Sequence, residues 1–270
     1  MALKRLQTEV DGMMEGFDDI RHHYRLLRYL NAGVHGAVFK ARDLVTNSIV
    51  AIKVQKIERR NRPSHLLNEL RLMKTSNHPN LLHYYKSFIV EGKGVPDELW
   101  IVMEYVGGGT LRSLLEPTTN PREISEQQLA YIVRSVLDAL RYLFDKKKLI
   151  HGDIHFNNIM LTDDGQIKLI DYGFSRQSND RQADWRKFTY WFNRAYEDRF
   201  QSFGSPSEEL KNFAKITHNQ TSERFVDVEK HPFLDKADEE GHSLKEMVRE
   251  MKHEKLGGFS TGNEDAEKSW

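Results

Sequence analysis

The sequence HGDIHFNNIMLTDDGQIKLIDYG, residues 151–173, decides the fold. Two short apolar runs, 159–161 and 167–170, flank an Asp-Asp-Gly turn, and this pattern predicts a β-hairpin. The hairpin would hold two polar loops side by side. One loop carries Asp153 and Asn158 just before the first strand, and the other carries Asp171 just after the second strand. The stretch therefore predicts three converging oxygen-bearing side chains.

Such a set of side chains is what phosphoryl transfer requires. One carboxylate orients the attacking hydroxyl, and a second carboxylate together with an amide holds magnesium against nucleotide phosphates. Asp and Asn are also common turn residues, so each of them alone is weak support. The complete spaced set, HxDxxxxN followed by a strand and DxG, makes phosphoryl transfer the stronger interpretation.

The same order of residues resembles the protein-kinase-like superfamily. By this resemblance, His151, Gly152 and Asp153 stand at the catalytic-loop triplet, and Asn158 stands at the catalytic-loop asparagine. Asp171 opens the segment that corresponds to the DFG motif. The resemblance implies that Asp153 orients the acceptor hydroxyl and accepts its proton, while Asn158 and Asp171 bind Mg²⁺.

A glycine-rich hairpin is predicted near the N-terminus. Residues 24–41 read as two strands joined by a turn that begins at Asn31 and contains Gly33 and Gly36. The hairpin resembles the kinase loop GxGxxGxV, with Asn31 in place of the first glycine and Val38 at the valine. The resemblance implies that these four residues bind the nucleotide, although the pattern by itself also fits a plain hairpin.

A lysine interrupts the next apolar strand. Residues 49–55 predict a strand that contains Ala51 and Lys53, and residues 64–76 predict a helix that carries Glu69 beside its apolar face. A lysine on a strand is ordinarily a surface residue, and Glu69 could be an ordinary surface residue of its helix. The resemblance instead implies that Ala51 lines the nucleotide site, that Lys53 contacts the α and β phosphates, and that Glu69 holds Lys53.

Two more strands are predicted, at roughly residues 81–89 and 99–104, and the second leads into a run of three glycines. In the kinase family this is the hinge between the lobes. The resemblance implies that backbone groups of Glu104 and Val106 pair with adenine, that Met103 lines the pocket, and that Thr110 contacts the ribose. The glycines by themselves also fit a flexible linker without a ligand.

Several helices are predicted in the second half of the chain, including a short one at residues 111–115, and residues 209–234 resemble the last two helices of a kinase C-lobe. Ser125 and Gln128 form a capping box for a long amphipathic helix that anchors the catalytic loop. Residues 184–203 are aromatic and basic, which favours a helix packed on the lobe over a basic and aromatic contact surface. Residues 243–255 suggest one helix in a charged tail, and residues 257–270 are expected to be disordered.

Two residues of the catalytic loop depart from the protein-kinase pattern. Gly152 replaces the arginine that normally pairs with a phosphorylated activation loop, so switching by loop phosphorylation is not expected. His155 replaces the lysine that contacts the transferred phosphate, but it can still donate a hydrogen bond and we count it among the catalytic residues. The string HGDxHxxN is more similar to small-molecule kinases, such as the aminoglycoside and choline phosphotransferases.

The predicted fold class is α+β, a bilobal protein-kinase-like fold. An N-lobe with an antiparallel β-sheet and one helix would span residues 17–106, and a mainly helical, reduced C-lobe would span residues 107–236. Residues 1–16 would form a leader, and residues 237–270 a partly disordered charged tail. A chain of 270 residues without cysteine can bury a core of this size without disulfides.

The expected function is that of an ATP-dependent Ser/Thr protein kinase, whose N-lobe and hinge resemble those of germinal-centre-type kinases. Its cofactors would be ATP and Mg²⁺, and its substrate a protein with a Ser or Thr hydroxyl. Lys+Arg and Asp+Glu balance at 40 each, so no nucleic-acid or membrane partner is expected. A cytoplasmic location is expected, and the sequence leaves the oligomeric state unknown. The alternatives are an inactive pseudokinase scaffold and a small-molecule kinase.

Overall fold

The computed structural model describes residues 2–14, 22–33, 36–57, 63–92, 95–115, 124–197, 205–218, 228–237 and 242–257. The tip of the glycine-rich turn at residues 34–35 and the tail predicted to be disordered, from residue 258, lie outside these ranges. The chain divides into two compact units. The first takes the chain as far as Asn77 together with Leu82–Tyr105, and the second takes His78–Leu81 together with the chain from Val106.

In its described residues, the first unit has two helices and one six-stranded sheet. In chain order its elements are α1 (Ala2–Glu9), β1 (Gly12–Met14), β2 (Tyr24–Gly33), β3 (Gly36–Asp43), β4 (Ile49–Lys56), α2 (Pro63–Thr75), β5 (Tyr84–Val90) and β6 (Glu98–Glu104). The strand order is β1-β5-β6-β4-β3-β2. All neighbouring strands are antiparallel except β1 and β5, which run parallel.

The two faces of this sheet have different roles, because successive side chains of a strand point to opposite faces. One face is an apolar core formed by Tyr24, Ala41, Val50, Ile52, Val90, Trp100 and Val102. The alternate residues of β4, which include Ala51, Lys53 and Gln55, point to the other face. The chemistry predicted for Lys53 therefore lies on the side of the sheet away from this core.

The helix α1 lies within the predicted leader, residues 1–16, and its Leu6 is completely buried. Two local predictions for the first unit need correction. The helix α2 begins at Pro63, one residue before the predicted N-cap Ser64, since proline suits the first helical position. Asn31 is part of β2, because the strand continues to Gly33 before the turn.

The second unit is mainly helical, and the part of it that the structure describes includes two small sheets. In chain order its elements are α3 (Leu111–Leu115), α4 (Glu126–Lys147), β7 (Leu149–Ile150), β8 (Ile159–Leu161), β9 (Ile167–Leu169), β10 (Arg176–Gln177), α5 (Gln182–Tyr196), α6 (Glu208–His218), a 3₁₀ helix (Pro232–Lys236) and α7 (His242–Gly257). The predicted hairpin is confirmed, since β8 and β9 pair antiparallel. The strands β7 and β10 form the second antiparallel pair.

The capping box of α4 is confirmed. Ser125 Oγ accepts the amide of Gln128 at 3.2 Å, and Gln128 Oε1 accepts the amide of Ser125 at 2.9 Å. The helix is followed by its C-cap, Lys148, which adopts the left-handed conformation with φ of 56°. The chain therefore turns sharply there and enters β7, directly before the catalytic-loop sequence.

The aromatic segment around α5 packs into the second unit, as favoured above. Trp185, Phe188, Trp191 and Phe192 are fully buried, and Tyr190 is the exposed aromatic residue of the helix. Phe188 stacks on Trp185 with ring centroids 5.4 Å apart. Among the described residues, no helix is both long and apolar enough to cross a membrane.

The helix suggested in the charged tail is present as α7, and it packs on the second unit. Leu244, Val248 and Met251 are buried along one side of the helix. Lys252 Nζ lies 2.7 Å from Asp163 Oδ1 in the turn between β8 and β9. The helix is therefore attached to the hairpin that follows the catalytic loop.

Candidate active site

Lys53 and Glu69 form a buried ion pair in the first unit. Lys53 Nζ lies 2.5 Å from Glu69 Oε1, and both side chains are almost completely shielded from solvent. Gln55 Nε2 donates to the other carboxylate oxygen, Oε2, at 3.3 Å. The strand β4 thus supplies Lys53 and Gln55 on one face, two residues apart, and α2 supplies the carboxylate between them.

Several predicted nucleotide-binding residues share the sheet face that carries Lys53. Val38 lies opposite both Asn31 and Lys53 in the register of the neighbouring strands. Ala51 lies opposite Met103. Residues directly opposite each other point to the same face, so the sheet collects these five positions on one surface.

Gly33 and Gly36 pair with each other at the end of the β2–β3 hairpin. Gly36 has φ of +117°, and a Cβ atom placed on it would lie 2.3 Å from the carbonyl oxygen of Val54. Only glycine fits this position without displacing backbone. The glycine that the sequence singled out for phosphate approach is thus also required by the close contact between β3 and β4.

The residues predicted to contact adenine and ribose are divided between the two units. Met103 is buried in β6, and the amide of Glu104 at the end of the same strand donates to the carbonyl of His83 at 2.9 Å. In the second unit, Val106 is buried and Thr110 caps α3 by accepting the amide of Ser113 at 3.1 Å.

The catalytic-loop side chains converge on the carboxylate of Asp153. Asn158 Nδ2 donates to Asp153 Oδ2 at 2.9 Å and to the Asp153 carbonyl at 3.0 Å. His155 Nε2 lies 3.2 Å from the same Oδ2 atom, and the amide of Asn157 donates to His155 Nδ1. Since Nδ1 accepts a hydrogen bond, Nε2 is the atom that carries the proton and donates to Asp153.

His151 is completely buried beneath this loop. Its Nε2 atom donates to the carbonyl of Ile170 at 3.0 Å, and its Nδ1 atom accepts the amide of Asp153 at 3.3 Å. Burial lowers the pKa of His151 below its ordinary value. The neutral ring therefore fastens the start of the catalytic loop to the residue directly before Asp171.

Asp171 adopts a left-handed backbone conformation with φ of +70°, which is uncommon for residues other than glycine. Its Oδ1 atom accepts the amide of Gly173 at 3.0 Å. The neighbouring Ile170 amide donates to the carbonyl of Asn158 at 2.9 Å. The loops that carry Asn158 and Asp171 are thus adjacent, as the hairpin predicted.

Asp184 contributes to the site although the sequence analysis did not single it out. Its carboxylate, buried in the first turn of α5, accepts the amides of His151 and Gly152, both at 2.7 Å. Burial raises the pKa of Asp184, while the two amide hydrogen bonds oppose that rise. A lone acidic residue in an aromatic helix was the available signal, because a buried carboxylate needs hydrogen-bond donors.

A comparison with protein families matches residues 24–197 to the protein kinase domain. Members of this family use ATP and Mg²⁺. The matched range contains every residue predicted above for catalysis, nucleotide binding and metal binding. It leaves out α1, β1, α6, the 3₁₀ helix and α7.

Curated relatives agree with this match. The chain is 38% identical over 186 residues to human mitogen-activated protein kinase kinase kinase kinase 3, 66% of this chain and 20% of that protein. It is 40% identical over 161 residues to Arabidopsis thaliana serine/threonine-protein kinase 1, 59% of this chain and 18% of the relative. It is 39% identical over 160 residues to Dictyostelium discoideum serine/threonine-protein kinase pakC, and this match covers 59% of this chain and 32% of the relative.

The chain thus matches about a fifth of the length of the first two of these relatives. The comparisons confirm the resemblance to protein kinases with a germinal-centre-type N-lobe, and they favour neither the scaffold nor the small-molecule alternative. With the matched segment covering well over half of its residues, this chain belongs to the protein kinase family.

Proposed function

We propose that the chain is an ATP-dependent Ser/Thr protein kinase that transfers the γ-phosphate to a hydroxyl of a protein substrate. The observation that carries this proposal is the buried Lys53–Glu69 ion pair on the face of the sheet that also bears Asn31, Val38, Ala51 and Met103. The names of the relatives describe Ser/Thr kinases and support the same acceptor class.

A buried ion pair carries a desolvation cost, and this cost favours a functional role for the Lys53–Glu69 pair. Removing two charges from water costs several kcal/mol per ion, and apolar side chains of similar volume often stabilise a core equally well. The strand β4 is otherwise rich in buried apolar residues, so it could accommodate such a replacement at Lys53. The position of Lys53 supports the proposal that its amine holds the α and β phosphates while Glu69 fixes that amine in place.

Asp153 is proposed as the base that orients the acceptor hydroxyl. Hydrogen bonds from Asn158 and His155 fix its carboxylate, so a hydroxyl would meet an oxygen atom of defined position. Asp153 would accept the hydroxyl proton as the acceptor oxygen bonds to the γ-phosphorus and the bond to the bridging oxygen of the leaving diphosphate breaks. Phosphoryl transfer depends on this kind of positioning more than on covalent help from the protein.

The residues of the second unit fit a magnesium ion by their donor chemistry. The amide nitrogen of Asn158 is engaged with Asp153, so its oxygen is the atom that could face a cation, and Asp171 adds a carboxylate. Among the described residues no group of three or more His, Cys, Asp or Glu side chains is placed to hold a metal. Two protein oxygens suit Mg²⁺, which is usually bound by one or two protein ligands together with phosphate and water.

The remaining positions proposed for the nucleotide rest on the resemblance to the kinase family. Gly33 and Gly36 would let the hairpin backbone approach the phosphates, and backbone groups of Glu104 and Val106 would pair with adenine. Thr110 would contact the ribose with its hydroxyl hydrogen, because the oxygen already accepts the amide of Ser113.

Phosphate transfer by the purified chain tests the proposal. The assay uses Mg²⁺, ATP labelled at the γ-phosphate and a basic protein rich in Ser and Thr. Asp153→Asn and Lys53→Arg keep the volume or charge of the original residues, and we expect each to lower transfer by about 100-fold or more. The matched controls are Asp163→Asn in the β8–β9 turn and Lys56→Arg at the exposed end of β4.

Transfer that both active-site substitutions abolish, with the controls unchanged, would support the kinase and both residue assignments. A wild-type chain that binds Mg-ATP without transferring phosphate to Ser or Thr would overturn the proposal.

A further inference from the structure

The segment that precedes the matched kinase region packs on both α2 and β5. It consists of α1 and β1, residues 2–14, and we call it the N-terminal clamp. The family match begins only at residue 24, so the clamp has no counterpart in the matched region. Its contacts join the helix that carries Glu69 to the far edge of the sheet.

One side of the clamp holds α2. Arg71 donates from Nε and Nη2 to Glu9 Oε1, at 2.9 and 2.7 Å. Lys74 Nζ donates to the carbonyl oxygen of Glu9 at 2.6 Å. Leu6, one turn earlier in α1, has no exposed surface. The end of α1 is thus attached to α2 by the burial of Leu6 and by two hydrogen bonds from Arg71 to the same carboxylate oxygen of Glu9.

The other side of the clamp holds β5 through Asp11. The Asp11 amide donates to the carbonyl of Ser87 at 2.8 Å, and the Ser87 amide donates to Asp11 Oδ2 at 2.9 Å. Tyr84 also donates its hydroxyl hydrogen to this Oδ2 atom. Lys74 Nζ lies 3.2 Å from Oδ1 of the same carboxylate. Asp11 therefore contacts β5 and α2 simultaneously.

These contacts lie on the side of α2 away from the catalytic ion pair. At 100° per residue, Arg71 and Lys74 point roughly 200° and 140° away from Glu69 around the helix axis. On its own side, Glu69 contacts Lys53 and Gln55 of β4. The helix is thus held between the strand that carries the catalytic lysine and the clamp behind it.

We infer that Glu9 and Asp11 are positioning residues that hold α2 where Glu69 can pair with Lys53. A single ion pair constrains one side chain and leaves a helix free to rotate or shift, whereas attachment on both sides removes that freedom. The inference rests on the proposed kinase function for its consequence, since the Lys53–Glu69 pair is the element that it positions.

Amide hydrogen exchange of the intact chain tests the structural part without requiring activity. We expect Asp11→Ala to speed exchange across residues 63–75 by about tenfold, because α2 loses its attachment to β5. Asp43→Ala is the matched control, since Asp43 also accepts two backbone amides in the first unit, at 2.9 Å each, but lies at the end of β3, far along the chain from α2. Equal acceleration in both variants would overturn the inference.

A charge reversal provides a second and milder test. Glu9→Arg and Arg71→Glu should each speed exchange in α2 by about fivefold, and the double variant should restore the wild-type rate. If Asp11→Ala fails to fold, this pair still decides the question. Single variants that leave exchange in α2 unchanged would contradict the inference.

The same variants separate positioning from general stability in the kinase assay. We expect Asp11→Ala to raise the KM for ATP by about tenfold relative to Asp43→Ala at equal Tm, because Lys53 loses its fixed partner. If the wild-type chain transfers phosphate and Asp11→Ala and Asp43→Ala have identical KM values for ATP, the positioning role is refuted. A wild-type chain without transfer would refute the proposed function, while the exchange data would still decide the clamp.

Discussion

The amide of Gly152 donates a 2.7 Å hydrogen bond to Oδ1 of Asp184. This bond joins the catalytic loop to the first turn of α5, and the only residues between the end of the DYG segment and α5 are 174–181. The sequence Phe174–Arg176 passes directly beside Gly152, where protein kinases ordinarily carry an arginine. The short connection, the glycine and the buried carboxylate therefore form one structural arrangement.

We expect Asp184→Asn to lower kcat by about 10-fold to 100-fold and to destabilise the chain by about 1–3 kcal/mol. An asparagine would present an NH₂ group to one of the two amides, leaving a buried donor unpaired. Phosphate-transfer rates and thermal unfolding check this expectation. Asp138→Asn, on the exposed side of α4, is the control. Unchanged rates in Asp184→Asn would mean that α5 does not position the loop.

Gly152→Arg, which restores the residue usual in the family, should inactivate the chain. Gly152 has φ of +80°, and a Cβ atom there would lie 2.7 Å from the carbonyl oxygen of Phe174. The strained backbone and the clash together should cost about 2–4 kcal/mol, most of it already present in Gly152→Ala. Thermal unfolding of the two variants measures this cost. A Gly152→Arg chain with wild-type Tm and activity would disprove the steric argument.

His155→Ala should lower kcat by about tenfold, because Asp153 loses one of its two side-chain donors. His155→Lys, which supplies the family's usual cation, should retain most of the activity, since it also donates a hydrogen bond. The measurement is kcat at saturating ATP, with His253→Ala on the exposed side of α7 as the control. Equal loss in the alanine and lysine variants would show that the imidazole itself is required.

Much of the second unit could be predicted because its signals are local. The Asp-Gly turn at residues 164–165 specifies the hairpin that places Asn158 and Asp171 on adjacent loops, and Ser125 with Gln128 specifies the start of α4. Each signal involves residues only a few positions apart, so neighbouring side chains determine the conformation.

The remaining features depend on contacts between residues far apart in the chain. Asp184 lies 32 residues from Gly152, and nothing in its own segment indicates its partners. Asp11 lies 76 residues from Ser87, directly before a three-residue strand that is too short to show a periodic pattern. Such contacts depend on tertiary packing, which overrides local preference.

The stability of the first unit should depend on pH through Asp11. Burial tends to raise its pKa, but hydrogen bonds from Tyr84, the Ser87 amide and Lys74 outweigh burial, so the pKa lies below the ordinary 3.8. The stabilisation from Asp11 is therefore complete above about pH 5 and declines as the pH falls through 3.8 towards the folded value.

Thermal unfolding of Asp11→Asn and wild type at several pH values checks this linkage. We expect a difference in Tm of about 2 °C at pH 7 that shrinks towards pH 3. Asp43→Asn serves as the comparison in the same unit. A difference that stays constant or grows on acidification would contradict the lowered pKa.

The helix α7 should be an integral part of the second unit although it lies outside the matched kinase region. Met251 is buried, and its Cε atom lies 3.0 Å from the position that a Cβ on Gly109 would take. The hydroxyl of Ser113 lies 3.8 Å from the sulfur of Met251. We expect Met251→Asp to destabilise the chain by about 3–5 kcal/mol, because it buries an unpaired carboxylate.

Arg249→Asp, two residues earlier on the exposed side of α7, should cost less than about 1 kcal/mol. Urea unfolding of the two variants measures the difference. Because Met251 packs against the glycine directly before Thr110, Met251→Asp should also raise the KM for ATP, whereas Arg249→Asp should not. Equal free energies of unfolding in the two variants would mean that α7 is not packed on the hairpin and α3 in solution.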